Sequence, residues 1–481
     1  MHDLDMDPEA FRRHGYAVID RIAEYLADPA RWPVLPDMRP GDLRRELPEK
    51  PPAEPEPMED ILADFDRLIL PYTTHWNHPG FLAYFSITGS GAGILGESLA
   101  AALNVNAMLW RTGPAATELE EVTLDWVRRM IGLPDRFDGT INDTASTSTL
   151  HALAAARELD ESLEIRARGM AGRDDLPQLR VYCSEEAHSS VDKAVLTLGL
   201  GLSGVRKIPT KPQDLSMDVA ALAAAIEEDR RAGIRPLAVV ATVGTTSTTA
   251  VDPVPLIAEV CRRERIWLHV DAAYGGAAAI LPAMRWVLDG CEVADSIVVN
   301  PHKWMFVPID CSILYTRRPD VLKRAFSLVP EYLTTSDPSG TRNLMDYGVA
   351  LGRRFRALKL WFVLRYFGVE GIRARLRSHI ELARSFAQWV DDDPVFERLA
   401  PTRFSVVVFR FRPPTETDEA RIDELNMQLL QQLDSSGEVL LSHTRVRGRY
   451  ALRLAIGNVR TTADHITRAW QIAREAAYRL T

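Results

Sequence analysis

Short apolar runs and longer amphipathic segments alternate through the middle of the chain. Runs rich in β-branched residues predict strands at 179–183, 237–242, 267–270, 296–299 and 311–315. Segments with helical spacing of apolar residues lie between them, for example at 217–232 and 254–264. Because strands that alternate with helices are typical of a mostly parallel sheet covered by helices, the pattern predicts an α/β fold.

The beginning of the chain has a different pattern. Asp7 and Pro8 form a typical cap and first-turn pair, and the apolar residues from Ile19 to Leu26 then follow a helical stripe. Eight prolines lie between Pro33 and Pro57, and they favour an extended segment that separates this helix from the main body. Since an isolated amphipathic helix needs a surface to bury its stripe, a partner subunit is one candidate for that surface.

The end of the chain predicts a smaller α+β domain. A long helical stretch runs from Gly352 to about Trp389, and strand-like segments follow at 404–411 and 450–455. A helix at 463–478 closes the chain. This order of elements indicates an independent layer of strands and helices after the α/β region.

Composition and charge narrow the classes of function. The 481 residues are 46% hydrophobic and 26% charged, as in a soluble globular protein of about two or three domains. A formal net charge of -9 provides no general attraction for nucleic acid or anionic lipid. The acidic start and the interrupted apolar stretch at 94–109 predict neither a signal peptide nor a membrane span. We therefore expect a cytoplasmic protein, with four widely spaced cysteines as reduced structural thiols and no metal site.

Polar residues directly follow three of the predicted strands. Thr246 lies in a hydroxyl-rich turn after the strand at 237–242, Asp271 ends the next strand, and Lys303 follows the one at 296–299. Because ligands of open α/β sheets bind beyond the carboxyl ends of the strands, we expect these side chains to converge.

The lysine and the aspartate together predict a pyridoxal phosphate site. Desolvation favours the neutral amine of a buried lysine, which can then form a Schiff base. A carboxylate at the neighbouring strand end can hold a pyridinium nitrogen protonated. Taken singly, a strand-end aspartate is more often a cap or turn residue, and Asn-Pro-His-Lys is usually a turn. The combination of Asp271 with Lys303 on successive strands favours the cofactor site.

Small hydroxyl residues open a helix-forming run at 143–156, DTASTSTLHALAAA. The N-terminus of a helix offers free N–H groups and a positive dipole end to an anion, so a phosphate would fit there. The alternative from the residues alone is a Ser/Thr-rich cap that binds no ligand. Asp143 would be unfavourable beside a phosphate, and we expect it to point away.

Four motifs resemble the pyridoxal-phosphate-dependent decarboxylases of the aromatic-L-amino-acid decarboxylase type. They are HVDAAYGG (269–276), NPHKW (300–304), AHSSVDKA (187–194) and LGRRFRALKLWF (351–362), and similarity extends from 74–76 to 452–456. The resemblance implies an aspartate-aminotransferase-like fold (PLP fold type I) and a homodimer with sites at the subunit interface. The expected regions are an N-terminal helical and extended segment (1–84), a large cofactor-binding domain (85–360) and a small C-terminal domain (361–481).

The resemblance also implies specific roles for residues of this chain. Lys303 is expected to form the Schiff base, Asp271 to pair with the ring nitrogen, His188 to stack on the ring, and Tyr332 in a loop at 329–346 to return a proton after CO2 leaves. The other expected cofactor contacts are Ala145, Ser146, Thr246, Ala273, Asn300 and His302, the last of these in the phosphate region. The expected substrate pocket contains Trp76, Tyr84, Phe85, Ile87, Asn106, Met108 and Gly352.

These residues imply decarboxylation of an L-amino acid, with an aromatic side chain, to the amine and CO2. Ile87 stands where animal relatives have threonine, which disfavours a catechol, and Gly352 is a modest indication for tryptophan. The nearest alternative is an aromatic acetaldehyde synthase, which couples decarboxylation to oxidation by O2. Because Tyr332 and His188 are both present, the resemblance favours simple decarboxylation. A second alternative is a nucleic-acid- or membrane-binding surface at the basic run 353–359, which the net charge opposes.

Overall fold

A seven-stranded sheet forms the centre of the molecule in the computed structural model, which describes residues 5–328 and 340–480. Its strands are β1 (Asp138–Asn142), β2 (Leu179–Ser184), β3 (Val205–Ile208), β4 (Arg235–Thr242), β5 (Trp267–Asp271), β6 (Ser296–Val299) and β7 (Ser312–Thr316). Their order is β1-β7-β6-β5-β4-β2-β3. The strands from β6 through β5, β4 and β2 to β3 pair in parallel, and β7 pairs antiparallel with β6 and with β1. The predicted α/β fold with a mostly parallel sheet is confirmed.

Fifteen α-helices surround this sheet and the smaller C-terminal sheet within the described residues. They are α1 (Pro8–Ala27), α2 (Asp42–Glu46), α3 (Met58–Asp64), α4 (Gly91–Leu103), α5 (Pro114–Ile131), α6 (Ala145–Glu158), α7 (Ile165–Arg168), α8 (Ser190–Thr197), α9 (Val219–Arg231), α10 (Val254–Glu264), α11 (Pro301–Trp304), α12 (Pro319–Phe326), α13 (Arg356–Asp392), α14 (Glu419–Ser435) and α15 (Ala463–Tyr478). Short 3-10 segments include 275–280, 282–288, 291–293 and 344–347.

The side chains of β5 alternate between two cores and thereby orient the strand end. Leu268 and Val270 belong to the core that also contains residues of α10. The ring of His269 points the other way, because its Nε2 atom lies 3.5 Å from the hydroxyl of Thr149 in α6. Successive side chains of a strand face opposite sides, so Asp271 lies on the same side of the sheet as α6.

The C-terminal region is an antiparallel sheet with its own core. Its strands are β8 (Phe396–Arg398), β9 (Val406–Phe411), β10 (Ser442–Val446) and β11 (Arg449–Ala455), in the order β10-β11-β9-β8. Phe386 of α13, Phe409 of β9 and Trp470 of α15 meet in this core. The predicted α+β character of the C-terminal domain is confirmed. Helix α13 leads from the large sheet into this region, with a break at Gly368 (φ 62°). Residue 360, the expected end of the large domain, lies inside this helix.

Helix α1 begins where the sequence predicts and leaves several apolar residues exposed. The Asp7 carboxylate accepts hydrogen bonds from the N–H groups of Glu9 and Ala10, each at 3.1 Å, which caps the helix. No residue of α1 is buried, and Phe11 and Tyr16 are each 65% exposed, whereas Ile22 and Leu26 of the predicted stripe are partly buried. The single chain therefore covers the apolar residues of α1 only in part.

All four cysteines are buried free thiols, in agreement with their predicted structural function. Burial raises the pKa of the Cys183 thiol to about 11. Among the described helices, none combines the length and the apolar character that crossing a bilayer requires.

Candidate active site

The carboxyl ends of β4, β5 and β6 bring the predicted site residues to one edge of the sheet. The strand register places Thr242 opposite Asp271, and Asp271 opposite Val298. The turn containing Thr246, the Asp271 carboxylate and the segment from Asn300 to Lys303 therefore follow three neighbouring strands. Sequence alone predicted this convergence.

Lys303 lies in the short helix α11 with its amine beside an aromatic ring. Its Nζ atom is 5.0 Å from the ring centroid of Phe85. Burial lowers the pKa of the Lys303 amine; the Asp271 charge raises it, and the Arg453 charge lowers it further. A lysine with a lowered pKa holds more of its amine in the neutral, nucleophilic form near neutral pH.

The Asp271 carboxylate is held by its own turn. Its Oδ1 atom accepts the N–H of Ala273 at 3.1 Å, and the side chain is 7% exposed. The carbonyl of Ala273 in turn accepts the N–H of Asn300 at 3.1 Å. These bonds connect the end of β5 to the end of β6, so Asp271 and Lys303 are parts of one rigid unit.

His188 and Thr246 lie on the loops that border this unit. The Nδ1 atom of His188 accepts the N–H of Ser190 at 3.1 Å, so the proton of the neutral ring is on Nε2. Burial lowers the pKa of His188, the Asp271 charge raises it and the Lys303 charge lowers it, so both groups are within electrostatic reach of the ring. Thr246 is exposed in the turn that follows Gly244.

Gly244 is required by the shape of that turn. Its φ angle is +90°, which side-chain-bearing residues rarely adopt. A Cβ atom at this position would also lie 3.2 Å from the backbone nitrogen of Gly275. The β4 turn and the segment after β5 therefore pack backbone against backbone at the edge of the site.

The start of α6 fits a phosphate group. Ala145 and Ser146 are its first residues, and the side chain of the preceding residue, Thr144, does not cap the helix. The first N–H groups of the helix therefore point to space that an anion can fill. The Asp143 carboxylate accepts the N–H of Thr144 at 2.6 Å, so one of its oxygens is bound to its own backbone.

Asn300 and His302 are both buried beside Lys303. The Nδ1 atom of His302 accepts the N–H of Cys311 at 2.8 Å. Its Nε2 atom lies 3.2 Å from the side-chain amide of Asn300, whose Oδ1 atom is buried without a hydrogen-bond partner in the described chain. Burial, with the neighbouring Lys303 charge, lowers the pKa of His302 to about 3.

Trp76, Tyr84 and Phe85 form an aromatic wall that includes the ring beside the Lys303 amine. Trp76 stacks on Phe81 with centroids 4.2 Å apart and on Tyr84 with centroids 5.9 Å apart. Phe85 stacks on Tyr274 at 3.9 Å. Ile87, two residues beyond Phe85, is partly buried. Phe85 is the ring of this group that lies beside the amine.

The other predicted pocket residues form a separate cluster. Asn106 accepts the N–H of Arg353 at 2.9 Å, and its amide donates to the sulfur of Met108 at 3.4 Å. A Cβ atom on Gly352 would lie 4.0 Å from the Asn106 amide nitrogen. Asn106 also accepts the hydroxyl of Thr112, and Met108 accepts the N–H of Met345 and packs beside it. None of the contacts described for these three residues reaches Lys303.

The structure adds a cation that the sequence reasoning missed. Arg453 of β11 is 3% exposed, and its Cζ atom lies 4.6 Å from the Phe85 ring centroid. Its guanidinium donates to the carbonyls of Tyr84 and Ser247, and its Nη2 atom has no partner in the described chain. The sequence feature that could have indicated Arg453 is an arginine among apolar residues in the strand-like run at 450–455.

The basic run at 353–359 is not a free cationic surface. Arg353 pairs with buried Glu120 at 2.8 Å, and Lys359 pairs with Glu97 at 2.8 Å. Arg354 also pairs with Glu97, and Arg356 pairs with Asp310 at 2.6 Å. Because each of these cations has a carboxylate partner within the chain, the run contributes to the fold. The alternative of a nucleic-acid- or membrane-binding surface therefore loses its support.

The buried lysine and carboxylate at the ends of parallel strands, with an open helix start beside them, define a fold type I pyridoxal phosphate site. The chain belongs to the pyridoxal-dependent decarboxylase family, since the profile described as "Pyridoxal-dependent decarboxylase conserved domain" matches residues 40–412. It is therefore an enzyme of the decarboxylase class, and pyridoxal phosphate is its cofactor.

The chain is similar to plant enzymes over almost its whole length. It is 41% identical over 488 residues to phenylacetaldehyde synthase of Petunia hybrida, covering 98% of this chain and 95% of that protein. Tyrosine decarboxylase 4 of Petroselinum crispum is 41% identical over 485 residues, with 98% and 94% covered. The crystal structure of Oryza sativa TDC with PLP and tryptamine superposes with a TM-score of 0.95 at 36% identity, with 99% of both chains covered.

Proposed function

We propose that this enzyme decarboxylates an aromatic L-amino acid to the corresponding amine and CO2. The observation that supports the proposal most directly is the Lys303 amine, which lies beside Phe85 and within electrostatic reach of Asp271. The wall of Trp76, Tyr84 and Phe85 matches a flat, apolar substrate side chain. Relatives named tyrosine decarboxylase and tryptophan decarboxylase agree with this class of substrate.

The chemistry divides between the cofactor and the chain. Pyridoxal phosphate, when bound, accepts the electron pair that remains on Cα as the carboxylate leaves as CO2. Lys303 supplies the amine that attaches the cofactor. Asp271 accepts the proton of the ring nitrogen in a hydrogen bond and keeps that nitrogen protonated. The N–H groups of Ala145 and Ser146, with Asn300, hold the phosphate.

His188 and the aromatic wall act on the substrate. The proton on Nε2 of His188 is available at the site because Nδ1 is engaged with Ser190. One proton must return to Cα for each CO2 released, and we assign this step to Tyr332 with His188. Tyr332 lies outside the described residues. The rings of the wall exclude water from the departing carboxylate.

Incubation of the purified enzyme with a panel of amino acids tests the proposal. CO2, amine, aldehyde and hydrogen peroxide are measured in the same reactions. We expect stoichiometric CO2 and amine from tryptophan, tyrosine or phenylalanine. Turnover restricted to glutamate or other acidic substrates would contradict the aromatic assignment.

The second candidate is an aromatic acetaldehyde synthase, favoured by the 41% identity to phenylacetaldehyde synthase. That reaction consumes O2 and water and releases CO2, ammonia and hydrogen peroxide with the aldehyde. The panel separates the two reactions, because the wild type is expected to yield amine almost exclusively. Tyr332→Phe should shift products toward aldehyde and peroxide, since slower proton return leaves the carbanion open to O2. Equal amine yields from both proteins would exclude the phenol as the essential proton donor.

We further propose that the enzyme is a homodimer. The uncovered apolar residues of α1 need a surface, and α4 exposes Leu95, Leu99 and Leu103 at helical spacing. A second copy of the chain can cover both helices, as self-complementary interfaces do in twofold dimers. Light scattering of the holoenzyme is expected to give twice the chain mass. A fully active monomer would refute the proposal.

A further inference from the structure

The protonation of His302 is determined by one backbone bond. The N–H of Cys311 points at Nδ1 with a distance of 2.8 Å, and a backbone N–H can only donate. Nδ1 must therefore present a lone pair. The ring is 4% exposed and neutral, because burial lowers its pKa to about 3. In a neutral ring with an unprotonated Nδ1, the proton is on Nε2.

This tautomer selects one orientation of the Asn300 amide. If Nδ2 of Asn300 faced Nε2 of His302 at 3.2 Å, two donors would oppose each other and Oδ1 would stay buried without a donor. Rotating the planar amide by 180° occupies the same volume and places Oδ1 against the Nε2–H. The opposition of two donors then disappears, and Oδ1 gains the donor that it lacked. Nδ2 is left as a donor without a protein partner.

The freed donor lies at the phosphate end of the site. Asn300 directly follows β6, and α6, whose first N–H groups are open, packs against β6. The Asp143 charge acts on the His302 ring, so the residues just before α6 are near neighbours of this pair. Phosphate oxygens only accept hydrogen bonds, so an amide presented with Nδ2 outward binds them and one presented with Oδ1 outward repels them.

We infer that His302 is a positioning residue, fixed by the Cys311 backbone, that turns the Asn300 amide so that Nδ2 donates to the cofactor phosphate. His302 itself makes no contact with the phosphate, because both of its ring nitrogens are used within the protein. This assignment rests on the cofactor site proposed above. The sequence placed His302 in the phosphate region, and the geometry assigns it an indirect function there.

Two ligands that differ only in the phosphate test the assignment. The full-length protein is freed of cofactor and titrated with pyridoxal phosphate and with pyridoxal, and binding is followed by the visible absorbance of the Lys303 adduct. Asn300→Ala and His302→Leu should each weaken pyridoxal phosphate about tenfold, as for one hydrogen bond to a charged group. Affinity for pyridoxal should change less than about twofold. The ratio of the two affinities removes effects that a general loosening would have on both ligands.

The double variant separates positioning from direct contact. If His302 acts through Asn300, the combination of His302→Leu with Asn300→Ala should bind pyridoxal phosphate no more weakly than Asn300→Ala alone. Additive losses would show that His302 reaches the phosphate itself and would overturn the inference. Equal losses for both ligands would do the same. If Asn300→Ala changes neither affinity, the proposed phosphate site fails together with the inference, whereas a loss confined to Asn300→Ala defeats the inference alone.

A measurement on the unmutated side chain covers the case in which His302→Leu does not fold. Nitrogen-15 NMR of histidine-labelled apoprotein distinguishes the two neutral tautomers, and the signal that disappears in His302→Gln identifies residue 302. We expect an Nε2-protonated ring whose tautomer does not change between pH 6 and 8, in line with its low pKa. An Nδ1-protonated or positively charged ring would overturn the assignment.

Discussion

Two groups of buried cations in this enzyme differ in their partners. In the basic segment, Arg353 pairs with Glu120 and Lys359 with Glu97, each at 2.8 Å. At the candidate active site, Lys303 faces an aromatic ring and Arg453 donates only to carbonyl oxygens. The charge of a buried cation with a carboxylate partner is compensated within the protein. One without such a partner remains available to an anionic ligand or to chemistry.

The lysine and the arginine of the candidate active site also differ from each other. A lysine amine can lose its proton and so escape the cost of burial, which is the state that Schiff-base chemistry requires. A guanidinium stays charged, so Arg453 keeps a positive field at the site.

Removal of Lys303 should have the largest effect. Lys303→Ala leaves no amine to attach the cofactor, so the visible absorbance of the holoenzyme and the release of CO2 should both disappear. Lys359→Ala is the control, because it removes a fully buried lysine that is paired with Glu97. The control should lose stability and keep the absorbance. Full activity in Lys303→Ala would falsify the assignment of the site.

Breaking the buried Arg353–Glu120 ion pair should lower the free energy of unfolding. Glu120 is 2% exposed and accepts both Arg353 and the N–H of Ile141, at 2.8 and 2.9 Å. Glu120→Gln leaves the Arg353 charge buried without compensation, which costs about 3–5 kcal/mol of unfolding free energy. Urea unfolding of the apoprotein measures the loss.

An exposed ion pair provides the control for that measurement. Arg421 and Glu424 are 45% and 53% exposed, so Glu424→Gln should cost no more than about 1 kcal/mol. Similar losses in Glu120→Gln and Glu424→Gln would remove the distinction between buried and exposed pairs on which the comparison depends.

The sequence predicted the strand-end chemistry because it follows from local rules. The five central strands were recognisable by β-branched runs, and the polar residues that follow them mark the ligand edge of a parallel sheet. Helix α10 begins and ends at the residues predicted, Val254 and Glu264. Strands β1 and β3 were missed, since β1 contains Gly139 and Asn142 and β3 is only four residues long.

Partners distant in the chain could not be predicted in the same way. Arg353 and Glu120 are separated by 233 residues, and no local pattern connects them. Arg453 lies within the strand-like segment predicted at 450–455, but its proximity to Phe85 depends on how β11 packs against the segment before α4. The tautomer of His302 depends on Cys311, whose N–H points at the ring only after β7 pairs with β6.

A buried neutral histidine, His379, should make the stability of the protein depend on pH. His379 is 3% exposed, and its Nδ1 accepts the indole N–H of Trp304 at 3.0 Å. Burial lowers its pKa from 6.5 to about 4. Because the unfolded chain binds the proton first, stability is full above pH 6.5 and falls as pH decreases toward 4. At pH 5 this one group should cost about 2 kcal/mol relative to pH 7.

His379→Gln tests that slope because glutamine accepts from Trp304 and does not titrate. Urea unfolding at pH 5 and pH 7 should show a difference about 2 kcal/mol smaller in the variant than in the wild type. All other titrating groups cancel in this comparison. Identical slopes for His379→Gln and the wild type would mean that His379 is not held neutral by burial.

The smallest expected effect concerns Arg453, a buried cation without a carboxylate partner among the described residues, and its influence on Lys303. Both charges lie within 5.0 Å of the Phe85 ring centroid, so they are no more than about 10 Å apart and repel each other. Burial is the main cause of the lowered pKa of Lys303, and the Arg453 charge adds to it. Arg453→Met removes this repulsion and should raise the pKa of the Lys303 amine. Asp271, His188 and His302 also face Lys303 and remain in place. The pH midpoint for capture of pyridoxal by the apoprotein should therefore move upward, because only the neutral amine reacts, while Arg453→Lys should stay near the wild type. An unchanged midpoint in Arg453→Met would show that the Arg453 guanidinium does not act on the lysine.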